Sequence, residues 1–165
     1  MHNKQKERLQ RGIDFQDEVR RSWRRVPNVW RLRLRDGKGG TQVADEVALL
    51  AKVNLLSELK RTEGDRFELS FLRSDQINGL LDFDRVLPQN YGLVLVSFHN
   101  LQQGRDDAYA IRLITALHFM RREGREYITL DELRSGAFPA IRLPRLNTPE
   151  PTYDLWELGE CYRYL

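Results

Sequence analysis

The most chemically informative grouping in the chain is Asp45 followed thirteen positions later by Glu58-Leu59-Lys60. On a strand, side chains alternate, so Glu58 and Lys60 share one face and Leu59 takes the other. A hairpin turning near Lys52 places position 45 opposite 60 and 47 opposite 58, which makes Asp45 and Glu58 diagonal neighbours on one face. Two carboxylates and an amine in an apolar sheet are costly to bury unless they neutralise one another or bind a metal ion. Two carboxylates with water, and the Leu59 carbonyl as a further ligand, make a hard oxygen site of the kind that suits Mg2+ or Mn2+. Hydrolysis of a phosphodiester needs an activated water and positive charge near the phosphoryl oxygens, and Lys60 is placed to hold either the water or the phosphate. Taken alone, an acid-X-Lys triplet also reads as a plain strand ion pair.

The elements that must position these groups can be read outward from them. The runs 45–51 and 53–60 are apolar on both faces, as expected of central strands in a covered sheet. Upstream, residues 5–25 form a helix with an apolar stripe of Ile13, Phe15, Val19 and Trp23, ended by Pro27. Residues 28–34 alternate apolar and basic as a half-buried strand does, and 36–40 are a flexible turn. Downstream, 62–65 are a loop and Ser74 caps a helix running to about Phe83. Strands follow at 91–99 and 107–114, a helix at 115–122, and a short helix at 129–134 with Thr129 and Glu132 in capping-box spacing. Residues 136–153 hold four prolines and are expected to wrap the surface, with a last helical turn at 154–161. The order predicts an α/β fold with a mixed sheet flanked by helices. Its 165 residues suit one domain, with a core over about 10–125 and a surface-wrapping extension over 126–165.

Charge is unevenly spread. Residues 1–35 carry eleven Lys or Arg against four acids, while the last twenty residues hold four acids and only Arg163 as a basic residue. A basic N-terminal third suggests a polyanionic partner, and arginines grip phosphate in a bidentate fork. Arg31, Arg33 and Arg35 repeat at strand spacing and point to one face, and Arg61 and Arg73 flank the proposed site. These five are the candidate DNA contacts. The lone Cys161 fits a reducing cytosol, and the longest apolar runs are too short to span a bilayer, so a cytoplasmic protein without membrane contact is expected.

Several short motifs occur in an order that resembles the PD-(D/E)XK nucleases, in particular the RecU-like Holliday-junction resolvases. Gly12-Ile13-Asp14-Phe15-Gln16 resembles that family's Gly-x-x-(Phe/Leu)-Glu on its first helix. The interval between Asp45 and Glu58-Leu59-Lys60 resembles the family's acid and Glu-x-Lys, and Gln76 resembles its Gln at the start of a helix. The resemblance covers about residues 10–120. It implies a restriction-endonuclease-like core, Mg2+-dependent cleavage of branched or double-stranded DNA, a homodimer with two active sites, and a bacterial or phage source. Asp45 and Glu58 would then be metal ligands, Lys60 the catalytic lysine and Gln76 a helper near the DNA or water. Two departures stand out. Gln16 occupies the position of the family's Glu and is at most an accessory residue, and only a short loop replaces the family's stalk insertion. A nuclease-fold module that binds DNA or protein without cleaving is the alternative reading.

Overall fold

The computed structural model describes residues 2–35 and 42–165. The turn expected at 36–40 lies outside the described residues. Helix α1 (His2–Trp23) packs through Phe15, Val19 and Trp23, which recur every fourth residue and so share one face. Ile13, expected in the same stripe, is instead exposed. Strands β1 (Trp30–Arg33), β2 (Glu46–Leu49) and β3 (Asn54–Thr62) form an antiparallel meander. After β4 (Arg66–Glu68) comes helix α2 (Ser74–Val86). Strand β5 (Asn90–Asn100) then runs parallel to β3, and β6 (Arg105–Arg112) returns antiparallel to β5. Helix α3 (Leu113–Glu123), strand β7 (Tyr127–Thr129) and helix α4 (Leu130–Ser135) follow. The chain ends with the short strands β8 (Ile141–Arg142), β9 (Arg145–Leu146) and β10 (Thr152–Tyr153) and a 3-10 segment over Trp156–Arg163.

The main sheet is mixed and six-stranded, in the order β1-β2-β3-β5-β6-β8, with helices on both faces. The α/β architecture expected from the order of elements is the one observed. Period-two alternation sends Leu55, Leu59, Leu93 and Leu95 toward α1, and Leu56, Val94 and Val96 toward α2 and α3. Among the described residues no helix is long and apolar enough to cross a membrane.

Four expectations need correction. The β2–β3 turn is centred on Ala51-Lys52, closed by the Leu50 N–H donating to the Val53 carbonyl at 2.9 Å. That is one residue earlier than expected, so the register moves by two: Glu46 pairs with Ser57 and Val47 with Leu56. A shift of two preserves every residue's face. Continuing the ladder one step brings position 45 opposite 58, closer than the diagonal that the sequence suggested. Second, the loop expected at 62–65 is one residue shorter, 63–65, because β3 runs on to Thr62, and it leads into a short strand, β4, that pairs with β7. Third, β6 ends at Arg112 and α3 starts at Leu113, two residues before the expected boundary. Fourth, the C-terminal stretch is more than a surface wrap. Residues Phe138, Ile141, Leu143, Tyr153, Leu155 and Leu158 are buried, and β8 adds the last strand to the main sheet. The prolines break it into short pieces without keeping its apolar side chains out of the core.

Two close approaches fix α2, and with it the wall of the site. A Cβ on Gly92 would come within 2.3 Å of the Leu80 carbonyl oxygen, so β5 and α2 touch backbone to backbone only because residue 92 is glycine. A Cβ on Gly79 would lie 2.6 Å from the Cβ of Val43, so that glycine seats the segment leading into Asp45 against the same helix. At the far end of α2, Asp84 accepts from the Gly92 N–H at 3.0 Å and from two nitrogens of Arg112, which pins the helix to the sheet.

Candidate active site

Glu58 and Lys60 point from the central strand β3 toward the α2 side, and the Lys60 Nζ lies 2.7 Å from Glu58 Oε1. Gln76, in the first turn of α2, donates from Nε2 to the same Oε1 at 2.6 Å. The Gln76 amide is oriented by its other end, since its Oε1 accepts the backbone N–H of Arg73 at 3.0 Å. Arg73 therefore precedes the helix, and Ser74, expected as its cap, is the first helical residue. Glu58 Oε1 thus has two donors. Glu58 Oε2 is buried and has no protein partner among the described residues.

Asp45 stands just before β2, where the ladder with β3 opens. Its Oδ2 accepts the Leu59 N–H at 2.8 Å, which locks the carboxylate onto the strand that carries Glu58. Its Oδ1 accepts from Gln16 Nε2 at 3.0 Å and from Gln42 Nε2 at 3.2 Å. A carboxylate offers about four lone-pair positions, so three N–H donors leave Asp45 one acceptor position, while Glu58 Oε2 keeps all of its own. Burial and the adjacent Asp45 charge push the Glu58 carboxyl up to about 7, against the pull of Lys60 and Gln76. Burial likewise raises Asp45, opposed by the Leu59 N–H, the charge of Lys60, a hydrogen bond with the Glu58 carboxyl and the charge of Arg33. The pair is short of positive charge, and an orphaned buried acceptor beside raised carboxyls fits a divalent cation. Among the described residues no cluster of three or more His, Cys, Asp or Glu forms a metal site, so protein carboxylates would supply only two ligands here.

The five arginines fall into two groups. Arg33 Nη2 donates to Gln16 Oε1 at 3.0 Å, so Gln16 bridges Arg33 to Asp45 through the two ends of its amide. Arg73 is exposed at the mouth of the site, donating to the Gln42 carbonyl at 3.0 Å, and Arg35 is exposed just past β1. Arg31 and Arg61 are engaged internally. Arg31 pairs at 2.5 Å with Glu46, which is buried and also accepts from Trp23 Nε1 at 2.7 Å. The Arg61 side chain is only 3% exposed and pairs with Glu18, and its Nε donates to Ser97 Oγ at 3.0 Å. The Tyr153 hydroxyl donates to the same Glu18 at 3.0 Å.

Sequence reasoning did not anticipate these two buried ion pairs. The signal was present for one of them: alternation that puts Lys60 on the α2 side puts Arg61 on the α1 side, away from the carboxylates. Gln42 and its bond to Asp45 had no such signal. His99 is on the α1 side as well, its Nδ1 3.1 Å from Asp106, and takes no part in the site.

No family model matches the sequence, and no curated relative matches it. Among solved structures, the chain is similar to Hjc, a Holliday junction resolvase from the archaeal hyperthermophile Archaeoglobus fulgidus, with 18% identity over 63% of this chain and 78% of that one and a TM-score of 0.44.

Proposed function

We propose that this chain is a metal-dependent DNA endonuclease of the PD-(D/E)XK type, acting on branched or double-stranded DNA as a homodimer with one site per copy. The observation that carries the reading is the half-buried Asp45 held on β3 by the Leu59 N–H beside the buried Glu58, whose Oε2 is unmatched among the described residues. Asp45, Glu58 Oε2 and the Leu59 carbonyl would hold Mg2+ or Mn2+, with water completing the shell. When bound, such an ion supplies Lewis acidity and lowers the pKa of a bound water.

The remaining work belongs to the chain's own residues. Lys60, a quarter exposed and beside Glu58, places an ammonium where it can hold the attacking water or a non-bridging phosphoryl oxygen. Gln76 keeps Glu58 facing the site without adding charge. Gln16 holds Asp45 and Arg33 together, so a guanidinium stands next to the carboxylates for phosphate contact. Arg35 and Arg73 extend the cationic rim.

The test is a cleavage panel in Mg2+ or Mn2+ over four-way junction, flap, duplex and single strand. Wild-type cleavage should vanish with EDTA, and also in Asp45→Asn and Lys60→Met, while DNA binding persists. Cleavage that survives all three would end this assignment. The second reading, a DNA-binding module that does not cleave, is favoured by one observation: at position 16 a neutral amide donates to Asp45 where a third carboxylate would have added charge. Salt-sensitive binding without a nick under any divalent ion would select it.

Metal binding should also depend on pH in a defined direction. Glu58 must lose its proton to ligate, and in the folded chain it does so only near 7. Mn2+ affinity is therefore expected to fall by about tenfold per unit as pH drops below about 7. Titration calorimetry at pH 5.5, 6.5 and 7.5 reads this directly, and an affinity flat across that range would contradict the proposed ligand.

A further inference from the structure

Beside the carboxylate pair lies a cleft of about 950 Å3, walled by one face of α1 and floored by the end of β3. Residues 5, 9, 12, 13 and 16 of α1 line it, the spacing of a single helical face. The lining is of two kinds. Leu9, Ile13 and Phe71 are apolar, and Leu9 and Ile13 are 67% and 42% exposed, turned to the opening rather than to the core. Lys6, Arg11 and Lys60 bring positive charge. Arg11 reaches across to Glu63 at 2.8 Å, yet its own Nε–H is buried without an acceptor among the described residues, as Glu58 Oε2 is without a donor.

Gly12 deepens the wall between these groups. A Cβ there would meet nothing within 4 Å, so packing does not require a glycine, and glycine is a poor helix former. Its effect is to leave a gap in the helix face, one turn before Gln16.

From the apolar wall, the cationic Lys6 and Lys60 beside it and the adjoining carboxylates, we infer that the cleft receives one unpaired nucleotide next to the scissile phosphate. The base would lie against Leu9, Ile13 and Phe71, and Lys6 and Lys60, which line the same cleft, would face the phosphate oxygens. The volume is that of a small-ligand site and does not admit a double helix. In continuous duplex, and in a fully paired four-way junction, each base is already stacked and paired. The substrate class is then DNA with a single-stranded element such as a flap, a gap or an overhang. This rests on the nuclease reading for the position of the phosphate.

The test compares binding, in EDTA, of a blunt duplex and the same duplex with a short single-stranded tail, by fluorescence anisotropy. Wild type is expected to prefer the tailed DNA by about tenfold or more, the scale of one base stacking on a protein surface. Gly12→Leu fills the gap and should erase the preference while helix content and melting temperature hold or rise. Leu9→Ala, at an exposed position, should reduce it without touching the fold. Equal affinity for the two DNAs in wild type, or a preference unchanged in both variants, overturns the inference. Cleavage of the same DNAs in Mg2+ separates the two levels. A tail preference without cleavage removes the nuclease reading and keeps the cleft, while equal cleavage of blunt and tailed DNA does the reverse.

Discussion

Glu58→Gln is expected to abolish cleavage, by about a thousandfold or more, and at the same time to raise the stability of the metal-free protein at pH 8. The loss follows from removing the charge that a divalent ion needs at Oε2. The gain follows from linkage. Glu58 titrates near 7 in the folded chain and near 4.5 when unperturbed, so folding favours its protonated form. The stability it lends is complete below about pH 4.5 and is lost as pH rises through about 7. Above that, the folded chain carries an ionised carboxylate it would rather protonate, at a cost of about 3 kcal/mol. Glutamine keeps the acceptor that Lys60 and Gln76 use and offers Asp45 an amide in place of a second negative charge. The melting temperature at pH 8 should rise by about 5–10 °C, and the difference from wild type should shrink toward pH 5. A variant that is less stable than wild type at pH 8 would mean that Lys60 and Gln76 compensate Glu58 fully, which leaves no vacancy for a cation.

Arg61→Met is the second large effect, and it falls on folding. Arg61 adjoins Lys60 in sequence, and its position by a candidate nuclease site suggests a phosphate contact. Its guanidinium is instead buried against Glu18, stacks 5.0 Å from the Phe15 ring centroid and bonds Ser97. Removing it strands a carboxylate that is 9% exposed, with only the Tyr153 hydroxyl and Arg145, 3.9 Å away, among the described residues to offset the charge. Breaking such a pair costs about 3–5 kcal/mol, a large share of the stability of an ordinary domain. The double variant Glu18→Leu/Arg61→Met should regain most of it, because an apolar pair of similar volume avoids the desolvation cost. Denaturant melts of the two variants check this. An Arg61→Met protein that melts like wild type but binds DNA more weakly would restore the phosphate role.

The contrast between Lys60 and Arg61 shows how far the sequence could be read. Periodicity alone placed Glu58 and Lys60 on one face, and it was right because successive side chains of a strand point to opposite faces. The register of Asp45 against β3 came out two residues away, since a turn's centre is not legible to one residue, but the error kept every side chain on its face. Arg31 and Arg61 were misjudged for the same reason. Exposure is a property of what packs on a face, and the acids that neutralise them, Glu46 and Glu18, come from elsewhere in the chain. The tail after 126 read as a wrapping because prolines cut it into pieces too short to show a period. Its Tyr153 reaches the Glu18–Arg61 pair across more than ninety residues, a contact that no local pattern announces.

Asp45 and Glu58 are proposed to share a divalent cation. A crystal soaked in Mn2+ and measured at the manganese absorption edge tests it most directly. One anomalous peak is expected about 2.0–2.3 Å from an Asp45 carboxylate oxygen and from Glu58 Oε2, absent in Glu58→Gln. Density at neither oxygen, with Lys60 still closing on Glu58 in saturating Mn2+, would show that the trio is an ion pair and nothing more.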